Sequence, residues 1–315
     1  MSRYANVSLL SAGNISRPYT DNHDELIRAY TDRWDAEFAK VLPARPDLIV
    51  MPEVSTTYFC HTAEQRFAFL KSATAPFLEH FRKRAKEYHC YIAYSAERYF
   101  PEDEKYPSRN STMLIDREGN LAGIYDKNFV TIRANEVNAS GYCDKAEVIE
   151  TEFGRVACAI CFDLNFDELM FKYAAQHPDL ILFSSMYHGG LSQVNWAYTC
   201  HAHFASAVCN AQSRMLNPMG VELFSTTNYY NYVTGRINTD CVIAHIDHNN
   251  ARFLAAKKKY GDSLIRFDPG YVGSVLLTCE RDDMTVMDIV KEFEIELMDD
   301  YFARSLDHRH QNMEK

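Results

Sequence analysis

The chain has 315 residues, 47% apolar and 24% charged, with 33 Lys+Arg against 43 Asp+Glu and a net charge of −10. Those proportions exclude a disordered, collagenous or coiled-coil chain. An acidic chain without clustered cations is also a poor ligand for nucleic acid or an anionic membrane, so no partner of either kind is expected.

No apolar stretch approaches the ~20 residues of a membrane helix. The apolar core of Met1–Leu10 is too short for a secretory signal. Nine cysteines are scattered between Cys60 and Cys279. An odd number without an export signal predicts reduced thiols and a cytoplasmic location. No repeat, low-complexity tract or linker divides the chain. With only 12 Gly and 10 Pro, the expected organisation is one domain over residues 1–280. A C-terminal extension over 281–315 follows, helical and related to oligomer formation.

Short apolar runs predict strands at Val7–Leu10, Asp47–Met51, Cys90–Ser95, Ser111–Asp116, Val156–Cys161, Asp179–Ser184 and Val221–Thr226. Several lack polar alternation, which predicts burial on both faces. Leu26–Phe38 and Phe67–Tyr88 have helical spacing between them. Trp196, Cys200, Phe204, Ala207 and Ala211 also fit one helix face. The turn Asp116–Asn120 joins two strand-like runs as a hairpin. In the C-terminal segment, Val286, Ile289, Val290, Phe293 and Leu297 follow helical spacing and predict a face needing a cover, from a partner subunit or from the chain itself. Alternating strands and helices around an antiparallel hairpin predict a layered α/β architecture with mixed sheets.

Three strand ends carry candidate chemistry. Asp47-Leu-Ile-Val-Met-Pro-Glu53 ends a buried strand on a carboxylate, at the edge where open α/β sheets place their crevices. Glu53 there could act as a base, or simply cap or pair at the strand end. Ile124-Tyr-Asp-Lys127 ends the hairpin on a lysine that could hold an oxyanion, or snorkel at the surface. Gly154–Ile160 runs into Cys161, a polar turn and the helical segment Leu169–Ala175. A cysteine facing a helix N-terminus has a lowered thiol pKa and nearby N–H donors; the alternative is a buried structural cysteine. Cys158 and Cys161 make a C-x-x-C, so a thiol redox or metal-binding protein is the competing class of function. On one strand that spacing puts the two on opposite faces, and no second C-x-x-C completes a zinc site. His201 and His203 diverge on a helix. His188, before Gly189-Gly190, could stand in a pocket loop.

The joint order is more telling than any element. Glu53, Lys127 and Cys161, spaced by 74 and 34 residues, with Cys161-Phe-Asp-Leu-Asn-Phe166, resemble the nitrilase (carbon–nitrogen hydrolase) superfamily. The stretches Asp47–Glu53, Asn110–Lys127 and Gly154–Glu168 carry the resemblance, which extends over residues 5 to about 280. It implies a four-layer αββα sandwich of two mixed sheets, with a Glu–Lys–Cys triad between them. It implies further that Glu136, before Gly141, is a second catalytic glutamate that orients Lys127 or the substrate. Asn165 stands where relatives often carry Arg, and the Arg-Ala-x-Glu-Asn pattern of a later helix is missing near Cys200–Asn210. Both departures bear on substrate.

The implied activity is hydrolysis of a non-peptide amide through a Cys161 thioester, releasing ammonia or an amine and a carboxylic acid. Its partners are a small-molecule amide and water; no metal or organic cofactor is needed. Nitriles and N-carbamoyl amines are the alternative substrates within the superfamily. Lys127 and the Phe162 N–H would form the oxyanion hole. Asn165, Tyr58, Phe59, Tyr187, His188 and Trp196 are candidate pocket residues, with Arg133, Arg214 or Arg236 as possible replacement cations. A homodimer or higher homo-oligomer is expected.

Overall fold

The computed structural model describes residues 3–15, 20–58, 60 and 62–313, and the chain divides into two compact units. The larger runs from Ala5 to Ile237. The smaller joins the N-terminal residues up to Tyr4 with the chain from Asn238 onward.

The larger unit opens with β1 (Tyr4–Leu10), α1 (His23–Val41), β2 (Leu48–Val50), α2 (Ala63–Tyr88), β3 (Tyr91–Tyr99), β4 (Ser108–Ile115) and β5 (Leu121–Asp126). Next come a short α3 (Ile132–Glu136), β6 (Ile149–Thr151), β7 (Gly154–Ile160), α4 (Asp167–Ala174), β8 (Leu180–Ser185) and α5 (Gly190–Cys200). β9 (His203–Val208), β10 (Arg214–Leu216), β11 (Glu222–Ser225) and β12 (Tyr232–Asn238) complete it. The strands form two six-stranded mixed sheets, ordered β12-β1-β2-β3-β4-β5 and β11-β10-β9-β8-β7-β6. In the first, β1, β2 and β3 are parallel and β3, β4 and β5 antiparallel. In the second, β7, β8 and β9 are parallel, with β6 and β10 antiparallel to their neighbours.

Alternation along the strands decides what each face meets. Leu48 and Val50 of β2, Ala93 of β3 and Leu114 of β4 enter a buried cluster with Val156, Cys158 and Ile160 of β7 and Leu182 of β8. Ile49, Ile92, Tyr94 and Ile115, one position out of step, pack instead with Trp34 and Phe38 of α1 and Phe69, Phe77 and Phe81 of α2. Phe69, Ala73, Phe77, Phe81 and Ala85 repeat every four residues and form the buried stripe of α2. That helix starts at a capping box, Thr62 with Gln65. On the second sheet, Leu169 and Tyr173 of α4 and Trp196 and Cys200 of α5 join the core. The result is the αββα order expected. The hairpin turn is observed too: Asp116 N–H donates to Asn120 O, and Gly119 holds φ +81°.

One expected helix is shorter than its spacing suggested. α5 ends at Cys200, where His201 turns left-handed and closes the helix. Phe204 and Ala207 lie on β9, and Ala211 lies beyond it. All six residues of β9 are buried, so the apolar pattern fits either period.

The smaller unit holds a three-stranded antiparallel sheet that the sequence did not predict. It comprises β13 (Cys241–His245), α6 (Asn250–Tyr260), β14 (Leu264–Phe267), β15 (Ser274–Cys279), α7 (Val286–Glu292) and α8 (Met298–Asn312), with sheet order β13-β15-β14. Val286, Ile289 and Val290 of α7 are buried against Val275 and Leu277 of this sheet, with Phe293 and Leu297 beside them. The C-terminal apolar stripe therefore packs on its own chain and does not call for a partner. No helix among the described residues is long and apolar enough to cross a membrane.

Candidate active site

The C-terminal ends of β2 and β8 approach each other across the two sheets, and Ser184 Oγ donates to Met51 O at 2.8 Å. Just beyond, the chain after β2 makes a tight turn. Ser55 Oγ donates to Pro52 O at 2.6 Å, and Trp34 Nε1 of α1 donates to Ser55 O at 2.9 Å. Val54 in this turn has φ +48°, a costly conformation for a β-branched residue. It leaves Glu53 buried, with both carboxylate oxygens engaged. Oε1 accepts from Lys127 Nζ at 2.7 Å and Asn110 Nδ2 at 2.8 Å, and Oε2 accepts from Met186 N–H at 3.0 Å.

Lys127 leaves the β4–β5 hairpin immediately after its N–H donates to Asn110 O at 2.8 Å. Its ammonium is buried. Burial alone would lower its pKa, but the charges of Glu53, Cys161 and Asp163 outweigh burial and hold the group above the ordinary lysine range.

Cys161 follows β7 directly and begins a 3₁₀ turn, Cys161–Asn165, ahead of α4. Its φ is +49°, so a second left-handed, non-glycine residue stands at the site. A sharp turn at a strand end presents a nucleophile at the top of a sheet. The thiol is half-buried and pushed up to about 11, first by burial and then by the Glu53 charge. Lys127 and a hydrogen bond from Met186 N–H oppose that shift, and the thiol also bonds to Glu53. The helix-terminus effect expected to lower this pKa is overridden, because desolvation of the thiolate is larger. At neutral pH the site holds a protonated thiol beside a carboxylate that can take its proton. The Phe162 N–H lies in the first turn after Cys161, where backbone donors have no intrahelical acceptor.

The remaining candidates fall in different places. Tyr187 is half-buried and lies close enough to Cys161 and Lys127 for their charges to act on its hydroxyl. Asn165 is exposed and donates to Phe162 O at 3.0 Å. His188 accepts from Gly190 N–H, and burial followed by the Arg214 charge lowers its pKa. Arg214 itself donates to Gln193 Oε1 and Gly190 O. Trp196 is not a pocket wall: it is buried on α5 against Tyr173 of α4, and its Nε1 donates to Leu164 O at 3.1 Å, steadying the Cys161–Asn165 turn from behind. Tyr58 is likewise buried, against Phe69 in the α1–α2 layer. Phe59 lies outside the described residues.

Glu136 ends α3 with its side chain exposed, and the charges that act on Lys127 are those of Glu53, Cys161 and Asp163. Neighbouring Asn135 turns inward instead, to Ser140 O. Gly141, the landmark that pointed to Glu136, packs against the Arg109 guanidinium, which would have to shift to admit a Cβ there. Cys158 packs in the core between the sheets, its thiol pushed up to about 12 by burial. No disulfide joins any two of the nine cysteines, and no three His, Cys, Asp or Glu side chains gather as a metal site among the described residues.

Two residues without an expected role complete the site. Asn110 bonds to Glu53 by its side chain and to Lys127 by its carbonyl. Asp163 is fully buried two residues after the nucleophile. Its Oδ1 accepts from Phe129 N–H at 2.7 Å; its Oδ2 accepts from Tyr125 Oη at 2.7 Å and Ile160 N–H at 2.9 Å. A buried carboxylate within a resembling nucleophile loop was the available signal for Asp163. Asn110 lies in the polar first half of β4, where nothing in the sequence set it apart from Ser108, Ser111 or Thr112.

A carbon–nitrogen hydrolase is the class that this sandwich and this cluster define. The family of that name matches residues 20–227, more than half of the chain, and the chain belongs to it. A probable nitrilase of Schizosaccharomyces pombe is 30% identical over 154 residues, covering 46% of this chain and 53% of that protein. The chain thus spans about half the length of the curated relative it matches. Among solved structures, a carbon–nitrogen hydrolase of Helicobacter pylori aligns with a TM-score of 0.63 at 15% identity, over 76% of this chain and 90% of that one. The amidase of Nesterenkonia sp. aligns at 0.61 and 16%, over 76% and 91%. Saccharomyces cerevisiae Nit3, a member of branch 10 of the nitrilase superfamily, aligns at 0.59 and 16%, over 75% and 90%. These likenesses show the fold.

Proposed function

We propose that the protein hydrolyses a small non-peptide amide through a Cys161 thioester. One observation carries this reading: a protonated thiol stands beside Glu53, and Glu53 is held by a buried lysine. Glu53 takes the thiol proton as sulfur attacks the amide carbonyl carbon, forming the C–S bond. Lys127 Nζ and the Phe162 N–H stabilise the resulting oxyanion, each such donor being worth about 3–4 kcal/mol of barrier. The carbonyl re-forms, the C–N bond breaks, and Glu53 returns the proton to the leaving nitrogen. Glu53 then deprotonates a water that attacks the thioester, and the sulfur leaves as its proton is restored.

The solved structure of a Glu→Gln form of the Nesterenkonia amidase carries acrylamide added at its active-site cysteine, which supports a nucleophilic thiol on this fold. Amide is preferred to nitrile because Cys161-Phe-Asp163 differs from the Cys-Trp-Glu usual in nitrile-hydrolysing relatives. The probable nitrilase among the relatives keeps nitrile hydrolysis as the second reading.

Neutral substrates suit this site better than carboxylates. Asn165 offers only neutral hydrogen bonds where Arg would offer a charged fork, and Arg214 is engaged by Gln193 and Gly190. A panel of amides, carbamoyl-amines and nitriles, assayed for released ammonia, tests the reading. Turnover of nitriles alone would replace it with the second.

A further inference from the structure

We propose that Asp163 is a positioning residue that sets the distance between the nucleophile and the lysine. The proposal rests on the reading of Cys161 and Lys127 as the reacting pair.

Lys127 is the last residue held by the β4–β5 ladder, through its own N–H to Asn110 O. Beyond it the chain leaves the sheet. What fixes the chain on both sides of Lys127 is one carboxylate in the turn that follows β7 of the opposite sheet. Asp163 accepts from the Tyr125 hydroxyl, two residues before the lysine, and from the Phe129 N–H, two residues after it. Its third bond, from the Ile160 N–H, reaches the residue immediately before Cys161. Three donors converge on one fully buried side chain, and between them they bracket both reacting groups. Such a group cannot drift without leaving a buried donor unpaired, which is costly. The Tyr125 hydroxyl is itself anchored, accepting from Asn128 N–H at 3.3 Å. Asp163 touches neither the scissile bond nor the thiol in this scheme. Its effect passes through the backbone.

The charged and titratable groups around it are Lys127 and Tyr125 from the hairpin, Cys161 beside it, Tyr173 from α4 and Tyr187 from the loop after β8. Asn cannot replace Asp163 cleanly, because its NH₂ would face a donor. Asp163→Asn and Tyr125→Phe therefore weaken the same clamp, but only the first removes a charge.

The test is the pH dependence of Cys161 alkylation by iodoacetamide, followed on the Cys161 peptide by mass spectrometry, with near-UV circular dichroism to verify the fold. Loosening the clamp lets the Lys127 ammonium retreat from the thiol, so the thiol titrates higher. One pKa unit means roughly tenfold slower alkylation at pH 8. Asp163→Asn should show a slowing of that order and Tyr125→Phe a smaller slowing in the same direction. If Asp163 acted only through its charge, removing it would speed alkylation, and Tyr125→Phe would change nothing. If it were only a core group, melting temperature would fall with the thiol profile unmoved. Either result overturns the proposal. Should Asp163→Asn not fold, Tyr125→Phe alone decides, since it deletes one hydroxyl. The measurement needs no substrate. Failure of the wild-type protein to hydrolyse any amide would sink the hydrolase reading and leave this result standing on its own.

Discussion

The two strand ends that meet at the site are built alike and used differently. The turn after β2 and the turn after β7 each hold a left-handed, non-glycine residue, Val54 immediately after Glu53 and Cys161 itself. The first turn locks its carboxylate, with three donors on Glu53 from three separate elements. The second leaves its thiol half-buried and protonated. Under the mechanism proposed for this site, the base is organised in advance and the nucleophile is left able to react. Preorganised charge around a group that must change partners is how an enzyme avoids reorganisation at the moment of reaction.

That contrast can be broken at several points. The largest effect belongs to the thiol: Cys161→Ala or Cys161→Ser should abolish turnover of the best substrate, while the other eight cysteines tolerate Ala one at a time. Full activity in Cys161→Ala would end the mechanism. Next come Glu53→Gln and Lys127→Ala, each losing at least ~100-fold in rate with the circular dichroism unchanged. These two should part company in thiol titration. Glu53 raises the Cys161 pKa and Lys127 lowers it. Alkylation near pH 9 should therefore speed up in Glu53→Gln and slow down in Lys127→Ala, although both are inactive. Movement in the same direction would mean that neither charge reaches the sulfur.

Asn110→Ala removes one of the three bonds holding the base. A hydrogen bond to a charged group is worth about 1.5–3 kcal/mol, so a loss of roughly tenfold or somewhat more in kcat is expected. No change would show that Lys127 and Met186 suffice to hold Glu53. The smallest effect is expected for Glu136→Gln. An exposed substitution of this kind changes energies by about 0.5 kcal/mol or less, within about twofold in kcat/KM. A loss as large as that of Lys127→Ala would return Glu136 to the site.

Glu53, Lys127 and Cys161 were legible in the sequence through their joint order, which resembles the carbon–nitrogen hydrolases; each alone only ends a local pattern, a buried strand, a hairpin or a strand running into a turn. The layered fold was legible from such local patterns, since runs such as Leu48–Val50 and Leu180–Ser185 are buried throughout. What escaped depends on partners distant in the chain. Asp163 is one of several acids in its stretch until Tyr125 and Phe129 arrive from the other sheet. Glu136 looked suitable by spacing to Gly141, but its side chain is exposed and Gly141 lies against Arg109. Trp196, a candidate pocket wall by its aromatic side chain, is a buried brace for Leu164. The run from His203 to Val208 carries no period at all, and only the left-handed His201 marks where the helix yields to a strand.

The bond between Met186 N–H and Glu53 spans 133 residues, and that between Lys127 and Glu53 spans 74. Contacts so far apart along the chain form late, because the loops between them must close before any pairing rewards the closure. Either sheet can hydrogen-bond within itself without them. During refolding, far-UV dichroism should therefore recover ahead of the slow, high-pKa reactivity of Cys161. In the interval the thiol is not yet shielded by Glu53 and the closed sandwich, and an alkylating reagent added then should capture it faster than it captures the native protein.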